Sequence, residues 1–283
     1  MLAVMLGLLA AVAWGAADAI ARHTGRLLGA CAGLMTMCLA GLCAVSVWRI
    51  VTGMGWPDWP SWWSLGSITS ATIAMLMLYE ALRRGPVSLA SPVVSAYPAW
   101  MVAIALAMGE VPSLLILLAM LLTMGGVALV AATAAPDPSA EQNSSKTPTL
   151  LLALISSFLL AVALMLGQQG VKIDGEFTLV WWGRLIGLVS MGGLVLLGPK
   201  IPRPSGRTVA LALTQGLLDT VGLLLLYAAR DGLDGTLAAV SSSTLGVMTV
   251  ILVRILYKER LTHFQIVGIG TVTIGVMALA MLA

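Results

Sequence analysis

Seven stretches of this chain contain no Asp, Glu, Lys or Arg: residues 27–48, 59–79, 85–109, 111–136, 147–171, 235–253 and 261–283. Each is close to the roughly 20 residues that a helix needs to cross the hydrocarbon core of a bilayer. Within that core every backbone N–H and C=O must be satisfied by the protein itself, which leaves only helices and closed barrels. Barrel strands alternate apolar and polar residues over about ten positions, and these runs do not alternate. An all-α polytopic membrane protein is therefore expected. Composition agrees. Of 283 residues, 59% are hydrophobic and 10% charged, and the mean hydropathy is +1.01. A soluble domain carries about 25% charged residues.

Ten transmembrane helices are expected, at about 2–21, 28–50, 62–83, 86–108, 112–134, 148–170, 177–199, 208–229, 235–257 and 262–282. Residues 1–21 lack a basic segment ahead of their apolar run and read as a first span rather than a cleaved signal. Most connections are short. The exception is the polar, Pro- and Ser-rich stretch APDPSAEQNSSKTP, which reads as a linker at 135–147 between a first unit, 1–134, and a second, 148–283. Eleven Lys and Arg lie at the ends of odd-numbered loops, three at even-numbered ones, and Arg184 lies inside a span. By the positive-inside rule the odd loops are cytoplasmic and both termini external. In a bacterial cell the membrane is the inner one. Trp56, Trp59, Trp62 and Trp63 then crowd the external end of the third span, as an interfacial belt.

The two units share sequence at a nearly constant offset. At 148, Tyr79-Glu80-Ala81 meets Tyr227-Ala228-Ala229 and Leu89-Ala90 meets Leu237-Ala238. At 149, Glu110 meets Glu259 and Gly126-Val127 meets Gly275-Val276. At 150, Ala11-Val12-Ala13 meets Ala161-Val162-Ala163. With five spans per unit, the second copy must enter the membrane inverted, an architecture of many secondary transporters.

Residues 79–130, YEALRRGPVSLASPVVSAYPAWMVAIALAMGEVPSLLILLAMLLTMGGVALV, resemble the second part of an EamA-type repeat. That pattern has a small-residue, proline-containing helix, a glutamate just after it and a glycine pair in the next helix. Residues 227–279 resemble the second copy, and WGAADAIAR at 14–22 the start of the first. The chain thus resembles the ten-helix drug/metabolite transporter superfamily, nearest to YddG-like amino-acid exporters. The second copy departs from the pattern, because its ninth span lacks proline. The resemblance implies a central cavity lined by spans 1, 3, 4, 6, 8 and 9, with spans 5 and 10 peripheral.

Candidate cavity residues follow from spacing. Ser88, Ser91 and Ser95 share one face of the fourth span, beside Pro92 and Pro98. Each proline frees a carbonyl that lipid cannot satisfy, so such a face belongs against protein or water. Ser241, Ser242, Ser243 and Thr244 run together in the ninth span. The alternative for each hydroxyl is a bond back to its own helix or a neighbour. Tyr79, Tyr97 and Trp100 lie inside spans, and of the last two one is expected to face the cavity and the other to pack. Glycine pairs such as Gly29–Gly33, Gly183–Gly187 and Gly125–Gly126 read as close-packing faces. Cys31, Cys38 and Cys43 fall in one apolar run without metal-ligand spacing and read as packing residues. Asp18 with Arg22, and Glu80 with Arg84, are spaced to pair along their helices.

Two charges lie deeper. Arg184 enters the membrane about 10 Å from one surface and Asp219 about 16 Å from the other, at 1.5 Å per residue. In a core of about 30 Å their depths nearly coincide, and a lone charge there is costly. They are expected to pair. The expected substrate-binding set is therefore Tyr79, Ser91, Ser95, Tyr97, Trp100, Arg184, Asp219, Ser242, Ser243 and Thr244.

The function that fits is secondary transport: export of small metabolites, foremost amino acids including aromatic ones, by alternating access. Another metabolite or a cationic drug is the alternative. An intramembrane enzyme needs a nucleophile–base or metal constellation at depth. The two histidines, His23 and His263, lie near span ends and no HExxH occurs, so no enzyme, cofactor or metal is expected. The expected partners are a small-molecule substrate and the lipid bilayer, with no nucleic acid, and the chain is expected to be monomeric.

Overall fold

The computed structural model describes residues 1–84, 93–94, 97–107, 109, 112–133, 146–197, 205–229, 232–242, 244–245, 247–248 and 263–282. Among them there is no strand, and nine helices are defined. These are α1 (Leu2–Val51), α2 (Trp62–Arg84), α3 (Tyr97–Ala107), α4 (Leu114–Ala132), α5 (Lys146–Asp174), α6 (Glu176–Leu197), α7 (Gly206–Ala228), α8 (Gly232–Ser242) and α9 (His263–Leu282).

The 50 residues of α1 would reach about 75 Å as one rod, more than twice a bilayer core. They do not form one. Gly29 has φ 75° and ψ 171°, non-helical values that divide α1 into two segments. Only glycine adopts that φ at little cost. Among the described residues no atom would lie within 4 Å of a Cβ at Gly29, so the role visible for this glycine is to break the helix rather than to pack as its pairing with Gly33 had implied. The expected loop between spans 1 and 2 is a kink between helical segments. Gly175, with φ 78°, makes the equally short break between α5 and α6. At α7 the start is capped: Ser205 Oγ accepts from the Thr208 N–H at 3.2 Å.

Among the described residues, five helical segments are long and apolar enough to cross a membrane: Leu2–Ile20, Cys31–Val51, Leu150–Asp174, Glu176–Leu197 and Gly206–Ala228. The expected spans at 86–108 and 235–257 lie partly outside the described residues. Shorter apolar helices occupy Leu114–Gly126 and Ile266–Ala278. Large apolar side chains stand exposed around the molecule, among them Leu115, Leu121, Val189, Leu196 and Ile274. A soluble monomer does not carry apolar surface on this scale. The exposed face is the one that lipid covers.

The broad helix–helix interfaces join α1 with α7, α2 with α5, and α4 with α9. Small residues make these approaches possible. A Cβ on Gly216 would collide with Met37 O of α1 at 2.6 Å, and one on Gly126 with Val272 of α9 at 2.7 Å. Gly125 and Gly270, by contrast, face open space. The α2–α5 seam adds hydroxyl bonds, from Ser67 Oγ to Ala163 O at 2.7 Å and from Ser156 Oγ to Ala74 O at 2.8 Å. Both are buried, where such groups must find partners.

Candidate functional site

Arg184 of α6 donates to the Asp219 carboxylate of α7, and the pair forms an ion pair. The side chains are 7% and 14% exposed, so this contact lies inside the protein. The expected partnership of the two mid-depth charges is therefore present. The second segment of α1 closes over it. Gly41 leaves no room for a Cβ, which would collide with Thr220 Oγ1 and stand 2.8 Å from Arg184 Nε. Cys38 lies within electrostatic reach of Arg184 from the same helix. Among the described residues Arg184 Nε has no hydrogen-bond partner. Trp14, from the first segment of α1, donates Nε1–H to the backbone carbonyl of Asp219 at 3.2 Å. Its ring fills the space over Gly222.

A chain of neutral groups lies one turn away on α7, at Gln215. Thr24 Oγ1 donates to Gln215 Oε1 at 2.7 Å, and Gln215 Nε2 donates to the Tyr79 hydroxyl at 2.9 Å. One network thereby ties α1, α7 and α2. Asp18 is exposed, and its charge interacts with that of Asp219. Tyr79 lies within electrostatic reach of both carboxylates. Asp18 was expected to pair with Arg22 and Glu80 with Arg84; the arginine side chains lie outside the described residues.

Tyr97 is 1% exposed; its hydroxyl donates to Ala239 O at 3.2 Å and shares a 2.6 Å hydrogen bond with Ser242 Oγ. Ser242 also bonds back to Ala239 O at 2.9 Å, and Thr244 Oγ1 to Ser241 O at 2.8 Å. Both are buried. Trp100 is partly exposed and meets Phe158 edge to face at 5.5 Å. Ser91, Ser95 and Ser243 lie outside the described residues. Residues that spacing did not single out are Gln215, Thr24, Gly41, Ser67 and Tyr227. A glutamine inside an apolar run is a signal of the same kind as Asp219, since its amide must find partners at depth.

One end of the molecule is fastened by aromatic and polar contacts. Trp181 Nε1 donates to Ser46 Oγ at 2.9 Å and Trp182 Nε1 to Asp58 O at 2.8 Å. The Trp59 and Trp182 rings meet at 5.0 Å, and Trp56 and Trp181 at 6.3 Å. Asp174, at the end of α5, accepts from Ser61 N at 2.9 Å, Ser61 Oγ at 2.7 Å and Ser64 Oγ. A carboxylate at the start of α2 also suits the positive end of its dipole. We call this end the tryptophan face.

The EamA-like transporter family matches residues 1–132 and again residues 147–281. The chain belongs to the EamA-like transporter family. It is a multi-pass membrane transporter of small molecules built from two repeats, in a family of transporters and not of enzymes. A crystal structure of another protein, 14% identical, superposes with a TM-score of 0.82 over 99% of this chain and 97% of that one. At that identity the likeness shows the fold alone. No curated protein matches the chain. Nothing in these matches points to the YddG-like exporters in particular.

Proposed function

We propose that this EamA-family transporter exports amino acids, aromatic ones included, across the bacterial inner membrane by alternating access. Its ten spans form two inverted five-helix repeats, 1–134 and 148–283, joined by the cytoplasmic linker 135–147, with both termini external. It works as a monomer in the lipid bilayer, with no nucleic-acid partner. The inversion is supported by α2 and α7. These helices correspond at the offset of 148, yet run antiparallel: Ser67, near the start of α2, meets Tyr227, near the end of α7, while Tyr79 meets Gln215.

The observation that carries the amino-acid reading is the Arg184–Asp219 pair with Asp18 nearby. A zwitterion needs a cation for its carboxylate and a carboxylate for its ammonium, both at the depth where transport pauses. Arg184 supplies the first, and Asp219 or Asp18 the second. Tyr79, Tyr97, Trp100, Ser91, Ser95, Ser242, Ser243 and Thr244 complete the proposed substrate-binding set. A second reading, a cationic metabolite or drug, is favoured by the same charges, because two carboxylates outnumber one guanidinium among the described residues of the cluster. Proteoliposomes holding the full chain, screened with the twenty amino acids, sugars and organic cations, separate the two. Uptake above protein-free vesicles is expected for amino acids. Uptake confined to sugars or to organic cations contradicts the first reading.

A further inference from the structure

Two tyrosines bridge α2 and α7, and they do so in matching fashion. Near the tryptophan face the Tyr227 hydroxyl meets Ser67 Oγ at 3.4 Å, buried. Ser67 already donates its proton to Ala163 O, so here the phenol is the donor. Toward the opposite face, Gln215 Nε2 donates to the Tyr79 hydroxyl at 2.9 Å. The offset of 148 carries Tyr79 onto Tyr227 and Ser67 onto Gln215. Each tyrosine therefore bonds the counterpart of the other tyrosine's partner.

The spacing matches as well. Twelve residues separate Ser67 from Tyr79, and twelve separate Gln215 from Tyr227. The bridges therefore stand about 18 Å apart along the helices at 1.5 Å per residue. Between them on α7 lies Asp219 with its partner Arg184. α2 and α7 are not among the helix pairs that pack broadly together. These bonds thus join two helices from different repeats that do not pack broadly, and at the tryptophan face the Tyr227 hydroxyl also rests against Gly167 of α5.

We propose that Tyr79–Gln215 and Tyr227–Ser67 are the two gates of the transport path, one toward each face, and that they open in alternation. The inference rests on the alternating-access reading above. Rocking α7 against α2 about a point near Asp219 lengthens one bridge while the other holds. A bulky ring whose hydroxyl is anchored across the gap blocks passage when bonded, and swings aside when the anchor is released. A hydrogen bond between membrane helices is weak enough to break and reform readily. The charge pair lies between the two bridges along α7 and is largely buried. The equal spacing has a mechanical meaning: each gate lies on the same two helices, so one tilt acts on both with opposite sign.

The test uses a single reporter cysteine at Ala71, half-buried on α2 between the two bridges, in the full chain with Cys31, Cys38 and Cys43 replaced by Ala. A negatively charged, membrane-impermeant methanethiosulfonate is applied to either side of oriented vesicles. Sidedness is fixed by a separate cysteine at Asp58, on the tryptophan face. Tyr79→Phe and, independently, Gln215→Ala are expected to raise labelling of Ala71→Cys from the face opposite the tryptophans. The expected rise is about threefold, the order of one hydrogen bond between membrane helices. Tyr227→Phe and Ser67→Ala are expected to raise it from the tryptophan face instead. Phe keeps the ring volume, and each gate is tested from both partners, so one misfolded variant leaves its partner to decide. A rise from the wrong face, an equal rise from both faces, or no rise in monodisperse variants overturns the proposal. The readout needs no substrate. A negative amino-acid screen therefore leaves it standing, and amino-acid uptake with unchanged labelling removes the gates alone.

Discussion

Arg184 is 7% exposed, and its ion-pair partner among the described residues is Asp219. Removing a single member of a buried pair leaves an uncompensated charge and costs about 3–5 kcal/mol, whereas replacing both with apolar groups is often nearly neutral. Asp219→Ala is accordingly expected to lower the melting temperature of the detergent-solubilised protein markedly. Adding Arg184→Leu is expected to recover most of the loss in stability without recovering transport. Thermal unfolding beside vesicle uptake reads both quantities; a stable Asp219→Ala single variant contradicts the pairing as described. The pair was legible in the sequence because two charges at similar depth on consecutive spans have few other partners available. Gly41 was not, because a glycine in an apolar run carries no mark of which side chain will lie against it.

At the scale of elements, α2 and α5 are joined along a seam of hydroxyls and fastened at one end by Asp174. That carboxylate takes three donors from Ser61 and Ser64. Hydrogen bonds to a charged group contribute about 1.5–3 kcal/mol each way of counting, less where water competes. Asp174→Ala is expected to loosen the start of α2, seen as faster amide exchange over Trp62–Gly66 with the far half of α2 unchanged. Uniform exchange along α2 contradicts that role. Of the five span-length segments, Cys31–Val51 and Leu150–Asp174 coincide with uncharged runs, since apolar length decides what a bilayer accepts, whereas Glu176–Leu197 and Gly206–Ala228 carry charges within them. Helix ends were less legible. Asp174 reads from sequence as an ordinary interfacial charge, and its three donors come from residues about 110 positions away. The kink at Gly29 escaped for a related reason: a glycine that packs and a glycine that breaks look alike until φ is known.

The whole molecule is two repeats of one family pattern, matched at 1–132 and 147–281. Duplication was visible in the near-constant offset because apolar spans keep aromatic and glycine landmarks at fixed depth. The candidate site was less visible, because the hydroxyls of Ser242 and Thr244 bond back into the protein and sequence cannot tell such a bond from one offered to a substrate. The offset of 148 pairs α2 with α7, and in the structure the bonded residues of these two helices run in opposite order. In the function proposed for this transporter the second repeat enters the membrane inverted, so that rocking one repeat against the other exposes the charge pair to alternate sides. The most direct measurement is labelling of single cysteines at Asp58 and Ser144 with an impermeant thiol reagent in intact cells and in inverted vesicles. Asp58→Cys is expected to react only from the external side and Ser144→Cys only from the cytoplasmic side. Reaction of both from the same side contradicts the inversion.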